Sequence, residues 1–449
     1  MSPLKKITYV QLVALHIAIG FIAYLARPSA KLFLTAGILY FLYKMVTNKN
    51  RGDEILLAAG YITGFEVFNR MTGGFTFSYE FAKYAVIGFL TLGMFYRGFN
   101  KKSWAYVVFL LLLVPGILFS VINLNYDSPV LNLIGFNLSG PVCLGICALY
   151  CYERKMPFQR LQNILLAVML PVVAMATYLY FYTPNIRDIL EGTQSNFEAS
   201  GGFGPNQVAT ALGLGMFILV SRLFLVRSKF VNIIDLGLLV LIGYRGIVTF
   251  SRGGIFTAAI CVGIFLLFLF IQSNAKGKAR ILPRVGIVAA AIAIIWFISS
   301  IATLGLIDKR YSNQDAAGRV KQDVTTGRVD IVLTELDAFF KYPLTGIGIG
   351  KAKEYRIEQT GVLVASHNEI SRLLSEHGLA GLLALIILIV TPLFYWLRNR
   401  SNVFLFAFLA FWFLTINHSS MRIAAPAFIY GLCLISIVHA KKKTTIHRK

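Results

Sequence analysis

The chain has 449 residues, of which 57% are hydrophobic and only 14% charged, with a positive mean hydropathy. A soluble domain carries roughly 25% charged residues, so this composition excludes a soluble enzyme and indicates an all-α polytopic membrane protein. The net charge of +23 does not indicate nucleic-acid binding, because the basic residues fall mostly in short loops between apolar runs, the pattern that sets membrane orientation.

Taken in chain order, apolar segments long enough to cross a bilayer predict fourteen spans. Their centres are near Ala14, Ile38, Ala59, Gly88, Leu113, Gly140, Val172, Leu214, Val240, Gly263, Ile292, Ile386, Ala407 and Leu432. Glu54, Glu66 and Arg70 crowd the third; without it and its short predecessor the number is twelve. No small-residue cleavage site closes the first apolar run after Lys5 and Lys6, so no cleavable signal peptide is expected. One set of loops is rich in Lys and Arg, from Lys5/Lys6 through Arg222/Arg227/Lys229 to the tail Lys441–Lys443. The other set ("NLNYDSP", "TPNIRD", "INHSSMR") is poorer in charge, which predicts cytoplasmic termini. Cys143, Cys147 and Cys151 recur on one helical face; without histidine or carboxylate company or CxxC spacing, they and Cys261 and Cys433 are expected to be small packing residues rather than metal ligands or disulfides.

The expected organisation is an N-terminal bundle (1–183), a central bundle (184–305), a long external loop (306–376), C-terminal spans (377–440) and a basic cytoplasmic tail (441–449). Loops of such length are commonly functional. Within this one, "TTGRVDIVLTELDAFFKY" places Val329, Val332, Leu333, Leu336, Phe339 and Phe340 at helical spacing. That predicts an amphipathic helix, lying on the membrane surface or closing as a lid on the bundle. The glycine-rich "PLTGIGIGK" that follows lacks the helical context of a dinucleotide fingerprint.

Three polar clusters are predicted to meet at the external face. In "SHNE", Ser366 and Glu369 match a capping box, which puts His367 in a first helical turn, where the dipole disfavours imidazolium and leaves a neutral ring able to accept a proton. In "YRGIVTFSRGG", Arg245 and Arg252 lie seven residues apart on a shared helix face, with Ser251, Gly253 and Gly254 forming a break before the next span. In "GGFGPNQVA", Pro205 suits a helix start and sets Asn206 and Gln207 just inside the membrane. Arginines and a neutral histidine in one cleft suit a phosphate-bearing lipid substrate, since guanidinium matches phosphate bidentately.

The stretches "SRGG", "TGRVDIV…FFKYPLTGIGIGKA" and "SHNEISRLLSEHGLAG" resemble the bacterial O-antigen ligase/polymerase superfamily of membrane glycosyltransferases, most clearly over residues 200–395. That resemblance implies transfer of a glycan from undecaprenyl pyrophosphate to an acceptor hydroxyl (a glycan, lipid A-core or another hydroxyl acceptor) at the periplasmic face of the bacterial inner membrane, with no metal, nucleotide or other cofactor. It implies that His367 is the base and that Arg252 and Arg328 bind the pyrophosphate; the reading of the residues themselves adds Arg245, an intramembrane charge, as a further pyrophosphate candidate and Ser251, Asn206, Asn368, Glu369 and Glu376 in support. Many relatives carry an aromatic residue soon after the loop arginine, where this chain has Ile331 and Val332; Arg319 and Arg310 are alternatives to Arg328. The shared donor chemistry leaves ligase, polymerase and protein glycosylation open. The alternative from another class is a lipid-linked glycan flippase or polysaccharide transporter, but such proteins commonly show internal repeats with midplane sites, and this chain shows neither.

Overall fold

Every one of the fourteen apolar centres lies on or at the junction of a helix. In the computed structural model, which describes residues 3–74, 79–321, 327–361, 364 and 366–438, the chain runs α1 (Pro3–Leu25), α2 (Ser29–Asn48), α3 (Glu54–Met71), α4 (Phe81–Arg97), α5 (Trp104–Leu112), α6 (Val114–Asn123), α7 (Val130–Cys151) and α8 (Phe158–Tyr182). It continues with α9 (Pro205–Leu225), α10 (Lys229–Ile247), α11 (Arg252–Gln272), α12 (Ala275–Ala302), α13 (Leu306–Tyr311), α14 (Arg328–Lys341) and α15 (Lys351–Thr360). The last helices are α16 (Glu369–Arg398), α17 (Leu405–His418) and α18 (Ala424–Cys433). Among the described residues, ten helical stretches are long and apolar enough to cross a membrane, α5 and α6 counting as one, and α17 and α18 are shorter apolar helices. The only strands among the described residues are β1 (Lys155–Pro157) and β2 (Ser436–Val438), which pair in parallel. The basic tail 441–449, and Thr325 and Thr326 ahead of α14, lie outside the described residues.

Charge explains why α3 falls short of the ten. It is buried along nearly its whole length, and the charged side chains of Glu66 and Arg70 find partners inside the bundle. Arg70 pairs with Glu66 at 2.6 Å and donates to the Arg422 carbonyl at 2.9 Å, while Glu66 accepts the Ala424 N–H at 2.6 Å. Ionisable groups at membrane depth face the interior and pair in this way because lipid offers them no partner. Cys143, Cys147 and Cys151 are buried free thiols in α7, and Cys147 lies against Gly431, where small side chains let α7 and α18 approach.

The long loop is built from three short helices, and two details differ from the sequence-based expectation. First, α16 begins at Glu369 with Asn368 as its N-cap: Asn368 Oδ1 accepts the N–H groups of Ile370 (2.9 Å) and Ser371 (3.1 Å). Ser366 is therefore not the cap, Glu369 is the first helical residue, and His367 precedes the helix. Among the described residues, Ser366 Oγ accepts only the N–H of Asn368 itself, at 3.3 Å, while the asparagine side chain takes the first free donors of the helix.

Second, α16 is broken at Gly378 (φ 58, ψ −136), a conformation closed to residues with a Cβ. The break opens the helix to the glycine-rich stretch after α14. Ile347 and Gly348 donate to the carbonyls of Ser375 and Glu376 at 2.9 and 3.1 Å, and Leu379 donates back to Pro343 at 2.7 Å. The glycines of "PLTGIGIGK" thus serve backbone-to-backbone packing. A Cβ on Gly378 would lie 2.5 Å from the Pro343 carbonyl oxygen.

Helix α14 divides its faces less cleanly than its periodicity suggests. Glu335 and Ala338 are buried, whereas Val329, Leu333 and Phe340 are 49%, 57% and 73% exposed. Val332, Leu336 and Phe339, the rest of its apolar stripe, are half-buried.

A cationic cleft at four helix starts

The start of α9 and the start of α11 lie side by side because glycine permits it. A Cβ on Gly254 would sit 2.3 Å from the Ala209 backbone, so the two helices touch main chain to main chain. That approach lets Ser251 Oγ donate to Asn206 Oδ1 at 2.7 Å. Between α10 and α11 the chain turns sharply, with Phe250 at φ 57, a left-handed conformation costing about 1–3 kcal/mol for a bulky residue. The strained turn presents the Phe250 carbonyl to Arg310 Nε at 3.1 Å.

A cavity of about 380 Å³ opens above this pair of helices. Asn206, Arg252, Arg310, Arg328, His367 and Asn417 are among its lining residues, along with the apolar Val329, Ile331, Val332 and Leu333 of α14. Its walls include the first residues of α9, α11 and α14 and the N-cap of α16. Helix N-termini carry unsatisfied N–H groups and the positive end of the dipole, and they favour anions.

Three guanidinium groups reinforce that polarity. Arg252 Nη1 lies 3.4 Å from the Arg310 carbonyl oxygen. Burial, with Arg252 and then Arg328 nearby, lowers the Arg310 pKa to about 10, and burial with Arg252 lowers that of Arg328. Mutual repulsion of this kind shows three like charges sharing one field. No Asp or Glu is among the described residues that line the cavity.

His367 lines the same cavity, immediately before the N-cap. Its pKa is lowered to about 4, chiefly by burial, then by the charges of Arg422 and Arg328 and by His418 and Arg356. The ring is therefore neutral over the physiological range, from burial and surrounding arginines rather than from a place in a first helical turn. Its backbone is fixed: the His367 carbonyl accepts the Ser420 N–H at 3.1 Å, and the preceding Ser366 carbonyl accepts Arg422 Nη2 at 2.7 Å. Asn368 Nδ2 reaches Asn417 Oδ1 at 3.0 Å, joining this segment to the end of α17.

The structure thus brings together His367, Arg252, Arg328, Ser251, Asn206 and Asn368 of the residues singled out from sequence. It places the others elsewhere. Arg245 does not share a helix face with Arg252, since it ends α10 while Arg252 opens α11. Fully buried, it donates to the Thr183 carbonyl (3.2 Å) and hydroxyl (2.6 Å) and to the Ala199 carbonyl (3.1 Å), fastening two loops to α10. Glu369 and Glu376 border a smaller neighbouring cavity. Glu369 pairs with Arg372 and accepts the Met421 N–H at 3.2 Å, and Glu376 accepts the Gly350 N–H at 2.9 Å. Arg319 is on the surface, paired with Asp315.

Arg310, weighed in the sequence only as a substitute, lines the cleft in addition to Arg328, while Ser195 and Asn417 were not anticipated. Asn417 lies in "INHSSMR", whose polar residues at the mouth of a span were a usable signal; Ser195 offered none.

Residues 237–386, from within α10 into α16, match the family model described as O-antigen ligase, a segment that includes Arg252, Arg310, Arg328 and His367. No curated protein and no solved structure matches the chain. Set within an all-helical bundle whose helices are long and apolar enough to cross a membrane, that match over the cleft-lining part of the chain supports a place in the O-antigen ligase/polymerase superfamily.

Proposed function

We propose that the cleft transfers a glycan from an undecaprenyl-pyrophosphate carrier to an acceptor hydroxyl, at the periplasmic side of a bacterial inner membrane and with both termini in the cytoplasm. The observation that carries this reading is the convergence of three guanidiniums and a neutral imidazole on one cavity walled by helix starts. Pyrophosphate is the leaving group such a site suits. It departs carrying negative charge, which fixed cations and helix termini stabilise more in the transition state than in the ground state.

In the proposed step, His367 takes the proton from the acceptor hydroxyl as its oxygen forms the new bond to the anomeric carbon. The bond from that carbon to the pyrophosphate oxygen breaks, and the electron pair leaves with the carrier toward Arg252, Arg310 and Arg328. One displacement inverts the anomeric centre. General-base catalysis contributes typically 10²–10⁴-fold, and a base neutral at working pH is ready for it. The apolar Val329, Val332 and Leu333 on α14 support exclusion of water, the competing acceptor, from the same cavity.

The test is His367→Ala in purified, reconstituted protein supplied with a lipid-linked glycan and an acceptor. Transfer is expected to fall at least about a hundredfold, with folding intact. Normal transfer by the variant removes the base assignment, and movement of the donor across the bilayer without transfer by the wild type makes the protein a transporter. Deletion in the source strain reads the acceptor: loss of all long chains on lipid A-core identifies a ligase, and single repeat units left on the core identify a polymerase.

A further inference from the structure

Glu335 is a buried acid that the reaction above does not use. It lies on the inner face of α14, two turns from Arg328, and is 1% exposed. One carboxylate oxygen pairs with Arg356 Nη2 at 2.6 Å. The other accepts two hydroxyls, from Ser371 on α16 at 2.5 Å and from Ser366 at 3.2 Å. Arg356 also donates to the Val364 carbonyl, so the pair grips both residue 364 and residue 366. His367 is the next residue in the chain.

Two elements of the cleft therefore meet at one carboxylate. Arg328 is the first residue of α14, and His367 is held by the segment that Glu335 and Arg356 grip. Of the α14 residues only Glu335 and Ala338 are buried, which makes Glu335 the helix's one buried polar tie to its neighbours. Resting on the reading of His367 as the base, we propose that Glu335 is a positioning residue that locks the segment carrying His367 to the helix carrying Arg328, so that base and phosphate ligand keep one geometry. A base displaced by about 1 Å loses on the order of a hundredfold in rate, whereas binding of the donor to three arginines is much less sensitive to it.

The experiment measures kcat and the KM for the lipid-linked donor, with thermal midpoints in detergent, for Glu335→Gln, Glu335→Ala, Ser366→Ala and Ser371→Ala. Glu335→Ala is expected to lower kcat by about 10- to 100-fold with KM for the donor within about threefold. Glu335→Gln, which keeps an acceptor for the serines, is expected to recover part of that loss. If Glu335→Ala does not yield folded protein, the serines decide. Ser366→Ala breaks the link to the His367 segment, together with the same hydroxyl's local bonds to Asn368, and is expected to lower kcat at an unchanged midpoint, while Ser371→Ala, which breaks the shorter bond to the α16 body, is expected to alter kcat less. Wild-type kcat in Ser366→Ala, or an effect that follows the thermal midpoint with Ser371→Ala the worse of the two, overturns the proposal. His367→Ala runs alongside: full activity there sinks the base assignment and this proposal together, whereas an inactive His367→Ala beside a wild-type Ser366→Ala sinks this proposal alone.

Discussion

The protonation state of His367 makes a sharp demand on the pH profile. An ordinary histidine titrates near 6.5, and at pH 5.5 only about 9% of it is the neutral form a base requires. With its pKa lowered to about 4, His367 is about 97% neutral at the same pH. The sign is fixed by cause: burial and the positive charges of Arg422, Arg328 and Arg356 all disfavour the imidazolium, so the acid limb of kcat/KM moves down and activity is expected to be flat from about pH 5.5 to 8. The profile of kcat is different, because bound pyrophosphate sets negative charge beside the ring and raises its pKa; the acid limb of kcat is expected above that of kcat/KM. Arg422 is the largest single charge acting on the ring and does not line the cleft, which makes Arg422→Gln the useful perturbation. It removes a repulsion and is expected to move the kcat/KM limb upward by a fraction of a unit, still below 6.5, because burial is the larger cause. The assay is initial-rate glycan transfer in detergent from pH 4 to 8, with thermal midpoints taken across the range to separate titration from unfolding. A roughly tenfold loss of kcat/KM at pH 5.5, or a downward shift in Arg422→Gln, refutes the reasoning.

Two further outcomes follow from the packing. Arg310→Gln is expected to lower kcat/KM about 10- to 150-fold, the equivalent of about 1.5–3 kcal/mol for a hydrogen bond to a charged group, with little change in thermal midpoint, while Arg245→Gln is expected to lower the midpoint through its lost bonds to Thr183 and Ala199 and leave the donor KM of the folded fraction unchanged; steady-state kinetics and melting curves on both variants check the contrast. Gly378→Ala forces a Cβ into a forbidden conformation 2.5 Å from the Pro343 oxygen and is expected to destabilise the protein by more than about 2 kcal/mol, read as a lower midpoint or loss of folded protein.

The helices were legible because lipid imposes one rule, long apolar runs with internal backbone bonding, and all fourteen centres fall on helices or a helix junction. The cleft was partly legible for a related reason: a polar residue at the mouth of an apolar run stands out against its surroundings. Ser251, Arg252, Asn206 and His367 were found that way. Hydropathy carries no information on which mouths meet in space. Arg245 was expected to share a helix face with Arg252, yet the turn at Phe250 splits its helix from that of Arg252 and leaves it holding loops. Arg310, in a charged segment among other charges, had no contrast to mark it. Capping was misassigned because "SHN" offers two competent caps two residues apart, and tertiary contacts decide between them: Arg422 and Ser420 bond the carbonyls of Ser366 and His367, leaving Asn368 to close the helix.

Helix α14 shows the same division. The sequence predicts an amphipathic helix, lying on the membrane surface or closing as a lid, and its apolar residues are partly exposed and partly half-buried, with Val329, Val332 and Leu333 lining the cleft. Periodicity carries no sign of Glu335, the one buried acid on this helix, or of the partners it finds in Arg356, Ser366 and Ser371. An unpaired carboxylate there would lose several kcal/mol. Once paired, it ties α14 to the segment ahead of α16, and on the proposed reading that tie holds Arg328 at a fixed distance from the imidazole of His367.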